Sequence, residues 1–472
     1  MKKIFLSAVI TLLSLFCFTA CYDAIFQAIR DEVELESATI SGYINGIARY
    51  NVNPSEGINF DNQYLFLANG SVYYKKASEL QHGAWNKLSG NGLPSTTSYA
   101  YFDGEFKGIY IYKVAADADH VYAIGFKPLY DDDNSRNVPR DYVIYATSDI
   151  TQNEDGSLSV TWEEVTGLTD VFKTYLEEID AVDDDNYGMA LSIHLFCSNA
   201  VNPEHRAAFV RVGGGTPYLS NSRNYTSDVY KLEGSTFTKA AQIVYDSESE
   251  TTSFTEGGSD LSSYHYSELT RNTLSVLYFG DGFHFMNYLN ADTNEGTLDE
   301  NGDVLTSPTY VYFPGYSSYI CSFAVVDYNS ATFTDIFTGV TTNPTEVTGI
   351  SSVSAGSSIL SIAVTNDSIL LGSGRNRATG GAQTSGDGVF RVALTNGQMA
   401  SSTSDFETNA DSVMVDPYSV RSLICADPSL NETETSLYSS IDYIYTESTS
   451  GTSIKNRGLW SYYASRGNWN RE

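Results

Sequence analysis

The sequence predicts an all-β body behind a short helical lead. Beyond about residue 37 the helical spacing of apolar residues almost vanishes. In its place come short runs rich in Tyr, Val, Ile, Phe and Thr, separated by Gly, Asn, Asp and Ser, which is the pattern of strands and turns. A longer pattern recurs near both ends of the body. Gly83-Ala84-Trp85-Asn86-Lys87 and Gly467-Asn468-Trp469-Asn470-Arg471 share Gly-x-Trp-Asn-(Lys/Arg).

The 472 residues are 42% hydrophobic and 13% aromatic, enough to bury a sizeable core, so a disordered acidic tail protein is excluded. Against 27 Lys plus Arg stand 58 Asp plus Glu, a net charge of −31. Such a surface repels a phosphate backbone, and no basic stripe offsets it, so nucleic acid is not an expected partner.

Along the chain, Lys2 and Lys3 precede an apolar stretch over 4–18, interrupted only by Ser7, Thr11 and Ser14. It is shorter than the roughly 20 apolar residues of a spanning helix and has the flanks of a targeting segment. It ends in Phe18-Thr19-Ala20-Cys21. This resembles the lipobox of bacterial lipoproteins, with Phe18 where Leu is usual. The resemblance implies a signal peptide over 1–20, acylation of the Cys21 thiol (palmitate or a similar chain), and Cys21 as the first mature residue. It also implies a membrane partner through that lipid and a place on the cell envelope. Tyr22 stands where an Asp would suggest inner-membrane retention, which tilts the expectation toward an outer membrane, periplasmic or surface-exposed. Acyl chains contribute about 0.8 kcal/mol per buried methylene, so no spanning helix is needed. The body is acidic enough to stand off anionic headgroups.

Residues 21–36 place Ala24, Ile25, Ala28, Ile29 and Val33 at helical spacing, a lipidated tether. The body then spans 37–472. Its expected strands include 64–68, 72–75, 108–114, 121–126, 142–147, 274–279 and 369–371, with one further helix over 170–178. Two kinds of hairpin repeat. In the first, Val114-Ala115, Ile362-Ala363 and a looser Asp180-Ala181 each precede an apolar residue (Val121, Ile369, Tyr187) across a polar turn, and Ile47-Ala48 begins a copy with a longer insertion. The second hairpin ends in an aromatic strand near residues 85, 162, 237, 333, 402 and 469.

Together these give modules of four short strands. They resemble the blades of a β-propeller, and the terminal Trp strand resembles that of sialidase-type Asp-box propellers. Closest to that motif is Ser148-Asp149 with Asp155-Gly156-Ser157 and Trp162. The expected architecture is a single propeller of six blades, with seven as the alternative count; radial closure leaves few exposed sheet edges.

With Cys17 removed and Cys21 acylated, Cys197, Cys321 and Cys425 remain, each in an apolar run and without a CxxC. Buried free thiols are expected, with one bridge between two of them left open. No nucleophile elbow, Walker loop or H-x-x-x-H spacing occurs among the motifs, and Gly213-Gly214-Gly215 reads as a turn. Of the six histidines, His82 and His120 fall in expected turns. A sialidase resemblance would imply an Arg triad with a Tyr-Glu pair; Arg49, Arg136, Arg140, Arg206, Arg211, Arg375 and Arg377 are available, but no Arg-Ile-Pro segment precedes the first module. The acidic runs 131–134, 183–186 and 292–303 could supply oxygen ligands to Ca²⁺, although solvated loops describe them as well. No cofactor is expected. Tyr99, Tyr101, Phe102, Tyr218, Tyr225 and Tyr264 suit stacking on a ligand or packing between blades. The expected role is a binding module for a protein or glycan, with a sialidase-like glycoside hydrolase as the alternative.

Overall fold

The structure, a computed structural model, describes residues 40, 44, 46–52, 62–79, 84–88, 90–94, 108–131, 136–180, 192–197, 206–213, 225–246, 251–256, 259–260, 264–265, 284–287, 309–314, 319–325, 344–347, 357–365, 368–375, 389–395, 398–405, 418–426, 436–443, 458–463 and 468–472. These residues are nearly all β and form six sheets, in which consecutive strands pair antiparallel almost throughout.

The first sheet holds β1 (Ile47–Asn51), β2 (Gln63–Asn69), β3 (Ser71–Lys76) and β4 (Asn86–Lys87). The second holds β5 (Gly90–Asn91), β6 (Tyr110–Ala116), β7 (Val121–Asp131), β8 (Arg136–Gln152) and β9 (Leu158–Glu164), in the order β5-β9-β8-β7-β6. A helix, α1 (Thr166–Asp180), leads onward. The third sheet holds β10 (Ser192–Cys197), β11 (Ala208–Gly213), β12 (Tyr225–Glu233) and β13 (Thr236–Asp246). It is widened by β14 (Thr251–Glu256), β15 (Ser259–Asp260) and β16 (Tyr264–His265). The fourth holds β17 (His284–Asn287), β18 (Thr309–Pro314), β19 (Tyr319–Val325) and β20 (Pro344–Glu346). The fifth holds β21 (Ser357–Val364), β22 (Ser368–Arg375), β23 (Val389–Thr395) and β24 (Gln398–Asp405). The sixth holds β25 (Tyr418–Cys425), β26 (Ser436–Tyr443), β27 (Gly458–Tyr463) and β28 (Asn468–Arg471).

Burial explains why some strands read as continuous apolar runs and others alternate. All of β1, all of β11 and nearly all of β2 are buried, because their sheets are covered on both faces. The fourth strand β9 alternates buried and exposed from Leu158 onward, since one face meets water. The cores join neighbouring sheets. One runs through the first three sheets and α1, another through the fourth and fifth, a third through the fifth and sixth. The last closes the first sheet on the sixth, through Ile47, Leu65, Leu67, Ile424 and Leu459. First strands lead these contacts: β1 meets β6 and β25, β6 meets β10, and β21 meets both β17 and β25.

Both hairpin types expected from sequence are present. The Val114-Ala115 and Ile362-Ala363 units are the ends of β6 and β21, turning into β7 and β22. Three first strands share an irregularity, with a register shift at Ile111/Lys113, Ile359/Ser361 and Val420/Ser422. A bulge tightens local twist, which lets each first strand slant past its neighbours. The shift in β25 marks a copy of the unit at Leu423-Ile424 that sequence comparison passed over.

Asp180-Ala181 does not begin such a hairpin. Asp180 ends α1, whose Leu168, Val171, Phe172 and Tyr175 form one apolar stripe at helical spacing, set against β8 and β11. The third strand β19 pairs with Pro344–Glu346 through Tyr319–Cys321, and the expected strand near 333 falls in residues 326–343, outside the described residues. The expected strand at 274–279 and the tether also lie outside them.

Asp155 and Gly156 form the β8–β9 turn, as the Asp-box resemblance implies, but Ser148 and Asp149 sit inside β8. The turn residues are Asn153 to Ser157: Asp155 Oδ1 accepts from Ser157 N at 2.9 Å and Ser157 Oγ at 2.6 Å, bonds that hold its carboxyl below the usual range. The segment leaving the first sheet straps the outer edge of the second. There β5 pairs parallel with β9, and Gly92, at φ 92°, lies so close to Trp162 that a Cβ would stand 2.1 Å from its carbonyl oxygen.

At the junction of first and sixth sheets, Lys75 Nζ lies 3.1 Å from Glu472 Oε2 with both side chains fully buried. Burial pulls the Lys75 pKa down, opposed by Glu472, and the ammonium also stands 5.9 Å from the Trp85 ring centroid. Backbone bonds add to the junction: Ile40 N donates to Glu472 O at 3.4 Å, and Glu472 N to Leu459 O at 3.0 Å. Such a pair contributes little net stability when intact, but loss of one partner strands the other charge. Replacing Glu472 by Gln is therefore expected to lower unfolding free energy by about 3 kcal/mol, read as a drop in the urea midpoint at unchanged m-value.

Candidate functional site

The first strands of the first, second, third and sixth sheets bring their C-terminal ends together, and polar side chains gather there. The segment Ile47-Ala48-Arg49-Tyr50-Asn51 shows how. Ala48 and Tyr50 pack into the core shared with the second sheet, while Arg49 and Asn51 take the opposite face of β1. Arg49 is 2% exposed. Its Nη1 donates to Gln63 Oε1 and to Ala426 O at 2.5 Å, and its Nη2 donates to Cys425 O. One guanidinium thus ties β1 to the end of β25.

Arg206, just before β11, reaches from the third sheet to the first, donating through Nη2 to Asn51 Oδ1 at 2.7 Å. Burial, with the Arg49 charge behind it, lowers its pKa to about 9. Cys197, at the end of β10, lies near both Lys113 and Arg206. Burial pushes its thiol up to about 11, over the opposing pull of a hydrogen bond to the Ala116 backbone and of the two cations.

Tyrosines around this cluster are donors. Tyr50 OH donates to Asp119 O at 3.0 Å, and burial with the nearby Asp117 and Asp119 raises its pKa well above normal. Tyr122 donates to Asp117 and is raised in the same way. Farther along the third sheet, Tyr230 donates to Asp228 Oδ2 at 3.2 Å, and burial again raises it. A tyrosine nucleophile needs an adjacent general base or a lowered pKa, and the Tyr50 hydroxyl is bonded to a backbone carbonyl instead. The Tyr50 and Tyr122 hydroxyls tie the second sheet to the first and to the third.

Of the arginines named from sequence, Arg49 and Arg206 come together here, and Arg211 is buried on β11. The backbones of Arg136, Arg140 and Arg375 lie in β8 and β22, and Arg377 lies outside the described residues. Cys197 and Cys425 are buried free thiols, as expected. Cys321 lies on β19. His120 is in the β6–β7 turn, beside Asp117. His82, Tyr99, Tyr101, Phe102, Tyr218 and Cys21 lie outside the described residues, as do most residues of the three acidic runs; Tyr225 and Tyr264 begin β12 and β16. Among the described residues no group of three or more His, Cys, Asp or Glu is placed to hold a metal, and no helix is long and apolar enough to cross a membrane. Sequence reasoning missed the Arg49–Asn51–Arg206 junction. Its trace was a lone Arg inside an apolar strand.

No protein-family model and no curated protein sequence matches the chain. Among solved structures, a xyloglucanase from Xanthomonas campestris is 10% identical with a TM-score of 0.32, covering 92% of this chain and 45% of its own. A puromycin-hydrolyzing peptidase from Mycobacterium tuberculosis is 7% identical with a TM-score of 0.29, covering 83% and 50%. A leech intramolecular trans-sialidase is 9% identical with a TM-score of 0.28, covering 85% and 75%. The chain thus spans about half the length of the first two.

Two outcomes follow from the site. Arg49→Lys keeps the charge but loses the fork that reaches Gln63, Cys425 and Ala426 together, so stability should fall by about 2–4 kcal/mol in urea titration. Cys197, buried and with a raised pKa, should resist alkylation by iodoacetamide at pH 7.5 in folded protein and react once urea unfolds it, as read by peptide mass mapping.

Proposed function

We propose that this chain is a lipid-anchored lipoprotein of a bacterial cell envelope, probed outward from the membrane by a β-propeller that binds a protein or glycan. The observation that carries the anchor is Phe18-Thr19-Ala20-Cys21 closing an apolar run behind Lys2 and Lys3. In this reading the six sheets are six blades. Support comes from the contacts of first, second and third sheets, of fourth, fifth and sixth, and of sixth with first; the reading requires a junction of third with fourth to complete the ring. Cys21 carries the acyl chains, and the tether leads to an acidic body, in a chain of net charge −31, that stands off anionic lipid. The outer membrane is the favoured address.

Binding is preferred to glycoside hydrolysis on one ground. Tyr50, beside Arg206, donates its hydroxyl to the Asp119 backbone carbonyl and not to a carboxylate base such as a Tyr-Glu pair would supply.

The test is the intact mass of protein extracted from membranes, wild type beside Cys21→Ala. A mass for residues 21–472 plus acyl chains, with the variant unprocessed or released, is the expected result. An unmodified wild-type mass from the soluble fraction overturns the anchor. Hydrolysis of a sialoside or other glycoside by purified wild type would overturn the binding role in favour of the enzyme.

A further inference from the structure

The β6–β7 turn ties the second sheet to the first and the third, and one carboxylate holds the turn together. Asp117 Oδ1 accepts from Asp119 N at 2.8 Å and His120 N at 2.6 Å, and His120 Nδ1 stands 3.3 Å away. Its other oxygen accepts from Tyr122 OH. That hydroxyl in turn accepts from Gly234 N at 2.9 Å, in the β12–β13 turn of the third sheet. Tyr50 of the first sheet donates to Asp119 O in the same turn. The imidazole packs directly on Gly234, where a Cβ would stand 3.0 Å from Nε2 and the backbone has φ 62°. A side chain in place of Gly234 would therefore press on the ring.

We propose that His120 and Asp117 form a pH-responsive clasp between the second and third sheets, closed when the imidazole is protonated and loosened when it is neutral. A charged imidazolium bonds the carboxylate more strongly than a neutral ring does, and the fixed carboxylate is what positions Tyr122 to receive Gly234 N. The groups facing the ring or its relay are Asp117 and Asp119 in its own turn, Tyr122 on β7, Glu233 beside Gly234, and Tyr50 of the first sheet, itself near Arg206 of the third sheet and Asp149 on β8. Glu233 lies 3.3 Å from Lys231 Nζ. The hydrogen bond to Asp117 raises the His120 pKa over the opposing effect of burial. A raised folded-state value makes the sign definite: the contribution is complete below the ordinary His range near 6.5 and is lost as pH rises through the folded value. The side chains of His120 and Asp117 are 29% and 13% exposed, so solvent reaches the pair. The clasp does not depend on the ligand or address proposed above.

Hydrogen exchange at Gly234 tests it in the full chain. The opening constant, corrected for the intrinsic pH dependence of exchange, should rise about threefold to tenfold between pH 6 and pH 8.5 in wild type. In His120→Gln it should be the same at both pH values. An equal constant at the two pH values in wild type overturns the proposal. So does an unchanged pH response in His120→Gln, which would assign the effect to another group. If the variant does not fold, the wild-type comparison alone decides.

Discussion

Each first strand must be covered on both faces, and a single four-stranded meander cannot do this for itself. That constraint organises the molecule. β1 is buried at all five positions because the second sheet lies on one side and the sixth on the other. Sheets so built are stable only as neighbours, and the first and sixth meet directly. The junction between them is then obligatory, which accounts for the density of interactions there: an apolar cluster, the Arg49 fork, and a fully buried Lys75–Glu472 pair. Hydrophobic burial supplies the bulk of that contact without direction. The guanidinium and the ion pair supply geometry.

Much of this was legible in the residues. Apolar runs bounded by turn formers located β2, β3, β6, β7, β8 and β22, because strand length and turn chemistry are local properties. The Gly-x-Trp-Asn repeat marked the fourth strands of the first and sixth sheets, since Trp85 and Trp469 each serve the same packing task. Where reading failed, long-range contact was decisive. Asp180-Ala181 looked like a hairpin start, yet α1 runs through Asp180, held by an apolar stripe that matters only because β8 and β11 lie beneath it. The pairing of Ile320 with Thr345, which sets Pro344–Glu346 beside β19, is likewise one that no local signal announces.

The site was less legible than the fold. A lone Arg in an apolar strand signals only that something unusual is buried. Its acceptors, Cys425 O and Ala426 O, are backbone groups almost four hundred residues away, invisible to any motif. The same holds for Asp117. As part of a turn it is ordinary, and its importance arises because Tyr122 carries its hydrogen bond across to Gly234. Aromatic residues of this protein accordingly do two kinds of work: rings fill the space between sheets, and their hydroxyls, kept neutral by burial, stitch one sheet to the next.

The bond from Ile40 N to Glu472 O gives the molecule a mechanical character. A pull arriving through the residues ahead of β1 is delivered to the joint between first and last sheets, not to the middle of one sheet. There it meets several short-range attachments acting in parallel, Lys75 with Glu472 and Arg49 with the end of β25. Such a joint is brittle: it resists small extensions stiffly and then gives way at once, because its polar contacts fail within an ångström or two. Once parted, β1 and β25 each lose the cover of one face, so yielding at this joint would spread to the sheets on either side.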